Sequence, residues 1–406
     1  MPDSYRNSDP RPPIMQGSPV PPEWRVPPLD WDAPPWNRWA FQHMRELVTT
    51  VDVPRGGDAW EMPTRVSDVS AIACETADGR ASTYGAMLDE TYADGALIWL
   101  DGTIIAEDYA NAMTAATPHI AFSVSKSVVA TAAGILIGEG LMDPAAPIVD
   151  YVPELSATGW NGATLQHVLD MTSGVKFDET YGGPDADILF LDVAANLKPP
   201  SPHMDPARIP ACLWDQMMGL TVQEAEHGAR FEYRSIETEC LGYAMERASG
   251  MRLADLISDR LWAPLGAERD AFFTVDRAGF ALADGGFNAT LRDFARFGRL
   301  CLEDGRRDGR QVIPRDWVED VRGGAHGLTN GHVQEMLPGG RYRNQFWIEA
   351  DGRPAHLSLG IFGQHIYVDP QIGLVAAKLS SWPDFVTREH LIDWLRAVKA
   401  VAAAHR

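Results

Sequence analysis

The chain has 406 residues, 45% of them hydrophobic, enough to bury two domain cores or one large core with an insertion. Its 56 acidic and 35 basic side chains leave a net charge of −21, which repels nucleic acid and acidic membranes and sets both aside as partners. Four scattered cysteines (Cys74, Cys212, Cys240 and Cys301) show no C-x-x-C pairing, so neither a zinc site nor a disulfide framework is expected. With no apolar h-region at the N-terminus and no 18-residue apolar stretch, the expected setting is the cytoplasm.

Residues 1–35 hold eleven prolines, including Pro12-Pro13, Pro21-Pro22, Pro27-Pro28 and Pro34-Pro35. Such a segment reads as an extended arm rather than helix or central strand. Trp24 and Trp31 point to an arm lying along the body or along a neighbouring subunit, so a homodimer is one expected assembly and a flexible tail the alternative. A helix is then predicted from Trp36, Trp39, Ala40, Met44, Leu47 and Val48 on one face. Ala96–Leu100 and Thr103–Glu107 flank Asp101-Gly102, a strong hairpin signal.

Leu165, Val168 and Leu169 mark a short helix stopped by Thr172-Ser173-Gly174. From Tyr181 to about Leu220 the chain reads as a loop rich in Pro, Asp and Gly, and a loop that long usually covers a site. Helical patterns return at 240–248, 253–261 and 291–302. Near the end, Gln345–Ile348 is expected to pair with Gly363–Val368, and that with Gly373–Leu379, before a terminal helix carrying Leu391, Trp394, Leu395, Val398 and Val401. Strands at both ends with helices between predict an α/β chain of the α+β type: one antiparallel sheet built from both termini, with a helical insertion. The expected division is an arm over 1–35, an α/β sheet domain over 36–130 and 275–406, and a mainly helical domain over 131–274 that carries the loop at 181–220.

The chemistry concentrates at Ser123-Val124-Ser125-Lys126, which opens a run of small apolar residues reaching Leu136. Position i+3 lies almost above position i on a helix, so Lys126 stands beside Ser123. A desolvated, neutral lysine can take the proton from a serine hydroxyl. The same first turn offers free N–H groups and the positive dipole end to a developing oxyanion. Of five lysines, Lys176 also follows a serine at this spacing, but Ser173-Gly174 leads into extended chain. Ser125 and Ser127 are rival nucleophiles on the wrong faces. A snorkelling surface lysine is the competing reading of Lys126.

Together with Gly138–Asp143, Thr164-Leu165 and Thr172-Ser173-Gly174, this motif resembles the serine β-lactamase and penicillin-binding family. Asn37–Phe41, Tyr181, Tyr233-Arg234-Ser235 and Ser380–Asp384 make it most similar to the 6-aminohexanoate-dimer hydrolases within that family. The resemblance runs from about residue 36 to 400. It implies a β-lactamase/transpeptidase-like fold and a serine hydrolase working through an acyl-enzyme on a small linear amide, with a carboxylesterase as the alternative and an acyltransferase or a non-catalytic binding protein ranked below. It implies Ser123 as nucleophile, Lys126 as its base and Tyr233 as proton relay to the leaving group, with the backbone N–H groups of Ser123 and Ile361 forming the oxyanion hole. Tyr181 would hydrogen-bond the amide nitrogen, Ser235 and Phe362 would contact substrate, and Asp192 is either a solvated carboxylate or the partner of a substrate ammonium. Gly360-Ile361-Phe362-Gly363 stands where the family carries Lys-Thr-Gly, so no cation remains to hold a β-lactam carboxylate. No cofactor is implied, and the expected partner is a small amide or ester.

Overall fold

The computed structural model describes residues 3–183, 185–323, 328–329, 331–349 and 354–406. Its centre is a seven-stranded antiparallel sheet of β1 (Ala93–Leu100), β2 (Thr103–Tyr109), β3 (Arg341–Arg343), β4 (Phe346–Ile348), β5 (His356–Gly360), β6 (Gln364–Asp369) and β7 (Leu374–Ser380), in the order β3-β4-β5-β6-β7-β1-β2. The two ends of the chain meet where β7 pairs with β1, Leu374 opposite Leu100 and Lys378 opposite Ala96. The β1–β2 hairpin turns at Asp101 and Gly102, whose φ values of 45° and 93° are the left-handed pair a two-residue turn requires.

Helices α1 (Val124–Gly138), α2 (Ile236–Ser249), α3 (Leu291–Leu302) and α4 (Arg388–Ala404) frame the sheet and the site. α3 starts at Thr290, whose side chain accepts from Asp293 N, and lies so close to the sheet that a Cβ at Gly298 would fall 2.5 Å from Val375 Cγ1. On the opposite face, Lys378 projects between Trp382 and Trp394, the latter from α4. The result is a helix–sheet–helix sandwich. A second, four-stranded sheet runs in the order Thr50–Val53, Ala271–Thr274, Phe287–Thr290, Pro118–Ile120, and its last strand feeds directly into the turn before α1. Among the described residues no helix is long and apolar enough to cross a membrane.

Three expectations are corrected. Gln345–Ile348 does not pair with Gly363–Val368: β5 lies between them, with Trp347 opposite Leu357 and Leu357 opposite Tyr367. Five residues of His-Leu-Ser-Leu-Gly are too short a pattern to announce that strand. The helix expected over Trp36–Val48 is two single turns, Asn37–Ala40 and Met44–Leu47, broken between them. The stretch 181–220 contains helices Asp187–Ala194 and Leu213–Gly219. Elements this short do not hold on propensity alone; buried Ile188, Phe190, Leu191 and Val193 fix the first by packing.

The proline-rich arm lies along the body. Tyr5 is buried and hydrogen-bonds Asn111, while Asn7 donates to Ala93 O at the start of β1 and accepts from Arg38. Trp31, near the arm's end, is 2% exposed.

Candidate active site

Ser123 is the N-cap of α1, a helix buried from Val124 to Leu136. The turn that presents it is strained: Phe122, a bulky side chain, sits in the left-handed region at φ 45°. Lys126, one turn on, is 1% exposed and donates to Ser123 Oγ at 2.9 Å, Ser235 Oγ at 2.9 Å, Asp284 O at 3.1 Å and Asp284 Oδ2 at 3.3 Å. Tyr233 hydrogen-bonds both Ser123 and Lys126, and the Lys126 Nζ lies 5.2 Å from its ring centroid. Trp347 and Tyr342 hold that ring from two sides, at centroid distances of 5.6 and 5.9 Å.

The rival serines are committed elsewhere. Ser125 Oγ accepts from Phe287 N, Ser127 Oγ donates to Gln345 O, and Ser173 donates to the buried carboxylate of Glu237. Lys176 is exposed.

The surroundings of Lys126 differ from those of a neutral base. Burial opposes its charge, but Tyr233, Asp284 and Glu179 outweigh burial and hold the ammonium above the ordinary lysine range. Its hydrogen-bond partners Ser123, Ser235 and Asp284 present oxygen acceptors, the surroundings an ammonium wants. These surroundings favour the ammonium form of Lys126, where burial alone favours the neutral amine. Burial raises the Tyr233 phenol although Lys126 draws it down. The two groups share protons and titrate as a pair.

Two acidic residues in this cluster carry no sequence motif. Asp284 bonds Lys126, and its own backbone N–H donates to Glu239, whose carboxyl is held well above the usual range by burial and by Asp284. Glu179 accepts from Ser235 N and Ser235 Oγ, each at 2.6 Å, and from Tyr181 Oη at 3.0 Å. Ser235 thus bridges Lys126 to Glu179. Tyr181 turns its proton onto Glu179, lines the cavity, and stacks on Phe385 at 5.5 Å.

Ser123 opens on two cavities. One, of about 670 Å³, is lined by Trp31, Asp32, Tyr181, Asp192, Lys198 and Asp284 among others. The other, of about 480 Å³, is lined by Tyr233, Trp347, Leu359, Trp382 and Phe385. Tyr181 and Ile361 border both. Asp192, on the short helix, lines the first; burial pushes its carboxyl up to about 7, and Lys198 Nζ lies 3.8 Å away. Phe362 does not reach substrate space: at φ 59° it turns its ring away into Phe41, Phe122 and Phe385, where it is 2% exposed. Its expected substrate contact is thereby replaced by a packing role behind Ile361.

The end of β5 presses on the Ser123 turn. A Cβ at Gly360 would lie 2.5 Å from Ala121 O and 3.2 Å from Ser123 N, so the β5 backbone packs directly against the turn that presents Ser123. Since Gly360 has an ordinary φ of −123°, the restriction is space alone. Gly360→Val is expected to force these backbones apart and lower kcat by roughly 10²-fold with a smaller effect on KM, measured by steady-state kinetics on a soluble ester.

The chain is similar to known proteins over most of its length. A family model described as beta-lactamase matches residues 86–400. The chain is 36% identical over 386 residues to the 6-aminohexanoate-dimer hydrolase of Paenarthrobacter ureafaciens, covering 92% of this chain and 95% of that one. A solved structure from Bacillus anthracis, named as a candidate 6-aminohexanoate-dimer hydrolase, has a TM-score of 0.84 at 26% identity over 95% of this chain and 99% of the other. A family VIII carboxylesterase shares the fold at a TM-score of 0.57 and 16% identity, over 79% of this chain and 95% of that one. With a helix-start serine and its lysine one turn on, set beside an antiparallel sheet closed by both ends of the chain, this protein belongs to the beta-lactamase family.

Proposed function

We propose that the protein is a serine hydrolase that forms an acyl-enzyme on Ser123 from a small linear amide, in the manner the name of its 36%-identical relative indicates. The observation that carries this reading is the 2.9 Å contact between Lys126 Nζ and Ser123 Oγ at the mouth of both cavities. Removing one proton from the Lys126–Tyr233 pair leaves an acceptor beside Ser123. Ser123 Oγ passes its proton there as it attacks the carbonyl carbon, and the backbone N–H groups of Ser123 and Ile361 hold the oxyanion. Tyr233 then delivers the proton to the departing amine. Water, activated by the same pair, attacks the acyl carbon and returns the proton to Ser123 as the acid leaves.

Tyr181 favours an amide. Its proton is engaged by Glu179, so its oxygen can accept from an amide N–H, a donor that an ester lacks. Asp192, in the lining of the larger cavity, suits a cationic substrate end. The apolar second cavity would also admit an ester, which is the alternative reading. Tyr181→Phe is expected to cut amide turnover by roughly tenfold to a hundredfold while ester turnover changes little, measured on an amide and an ester with one acyl group. Equal losses on both would remove Tyr181 from leaving-group recognition. A cytoplasmic setting and a small-molecule partner fit the four free cysteines and the net charge of −21.

A further inference from the structure

The proline-rich arm does more than cover the body. Trp31 and Asp32 both line the larger cavity together with Ser123. The Trp31 indole lies parallel to Phe122, with centroids 6.3 Å apart and planes within 4°, and donates through Nε1 to Leu197 O at 3.0 Å. It therefore joins the strained turn before the nucleophile to the segment that carries Lys198. Asp32 Oδ2 takes Lys198 Nζ at 2.7 Å, whereas Asp192 Oδ2 stands 3.8 Å from the same nitrogen. Lys198 is thus shared between the two carboxylates, which compete for it.

We propose that Asp32 is a positioning residue for specificity: by holding Lys198, the arm keeps the Asp192 carboxylate open to a cationic substrate end. This inference rests on the reading of Asp192 given above. Without the Asp32 charge, Lys198 shifts toward Asp192 and tightens the long ion pair it already makes with that carboxylate, which then has no free edge for a ligand ammonium. Removing Lys198 as well reopens Asp192. A purely structural arm gives a different pattern, because loosening Trp31 would weaken every ligand of the cavity alike, and deleting Lys198 would repair nothing.

The test measures binding of n-hexylammonium and n-hexanol by calorimetry to the wild type, Asp32→Asn and the double variant Asp32→Asn/Lys198→Met. n-Hexylammonium is expected to bind the wild type more tightly than n-hexanol, to weaken by roughly tenfold in Asp32→Asn, and to recover to within about threefold of wild type in the double variant. Binding of n-hexanol should stay level across the three. The inference is overturned if Asp32→Asn leaves n-hexylammonium binding unchanged, if both ligands weaken together, if the second substitution restores nothing, or if the wild type does not prefer the ammonium. Failure of the hydrolase reading is a separate result: wild-type protein that turns over neither amides nor esters, whatever it binds.

Discussion

Ser123→Ala should reduce turnover of every substrate by on the order of 10⁴-fold or more while leaving substrate binding and the fold in place. Its hydroxyl is the group shared by Lys126, Tyr233 and both cavities. Its deletion removes no apolar contact from α1, which is held by buried residues from Val124 to Leu136. Ser125 and Ser127 cannot substitute, because each is buried and engaged with backbone groups on other elements. Single-turnover kinetics with an activated ester, beside a binding measurement with a slow amide, separates the lost chemistry from retained affinity. Turnover within tenfold of wild type would move the nucleophile elsewhere.

The second large effect is expected at Lys126. Lys126→Arg keeps a positive charge but cannot release a proton in the working range and does not fit the site of a fully buried ammonium, so activity should fall by roughly 10² to 10⁴-fold. Lys126→Ala should do similar damage. The pH dependence carries the sign. Burial opposes the Lys126 charge, but the anions around it, a Tyr233 phenolate and the Asp284 and Glu179 carboxylates, raise it, and burial raises the Tyr233 phenol, so the pair resists giving up a proton. Activity requires one proton fewer, so kcat/KM should rise with pH through the alkaline side of neutrality and fall as the pair is protonated. In Tyr233→Phe that ascending limb should vanish or move, because half of the titrating pair is gone. A flat profile in the wild type, or Lys126→Arg with most of the wild-type kcat, would make Lys126 a fixed charge and leave Tyr233 as the base.

How much of this was legible in the sequence depends on distance along the chain. Ser123 and Lys126 are three residues apart on a helix whose apolar run is unmistakable, so their meeting could be read from spacing alone. The Asp101-Gly102 hairpin and the span Leu291–Leu302 were legible for the same reason, being local signals. Tyr233 is about a hundred residues away, and its place came only through family resemblance. Glu179 and Asp284 gave no signal, since each lies in a loop with no period or motif around it. That omission matters, because these carboxylates favour the ammonium form of Lys126, whereas burial alone points to the neutral amine. Asp32 was hidden for a related reason: proline content shows that a segment is extended but not which surface it follows.

The identity of the acylated residue decides whether Ser123 is the nucleophile. The measurement is intact-mass analysis and peptide mapping after reaction with a fluorophosphonate probe, in the wild type and in Ser123→Ala. One adduct per chain is expected, on the peptide containing Ser123, and none in the variant. An adduct on Ser125, Ser127 or Ser173, or equal labelling of Ser123→Ala, would contradict it.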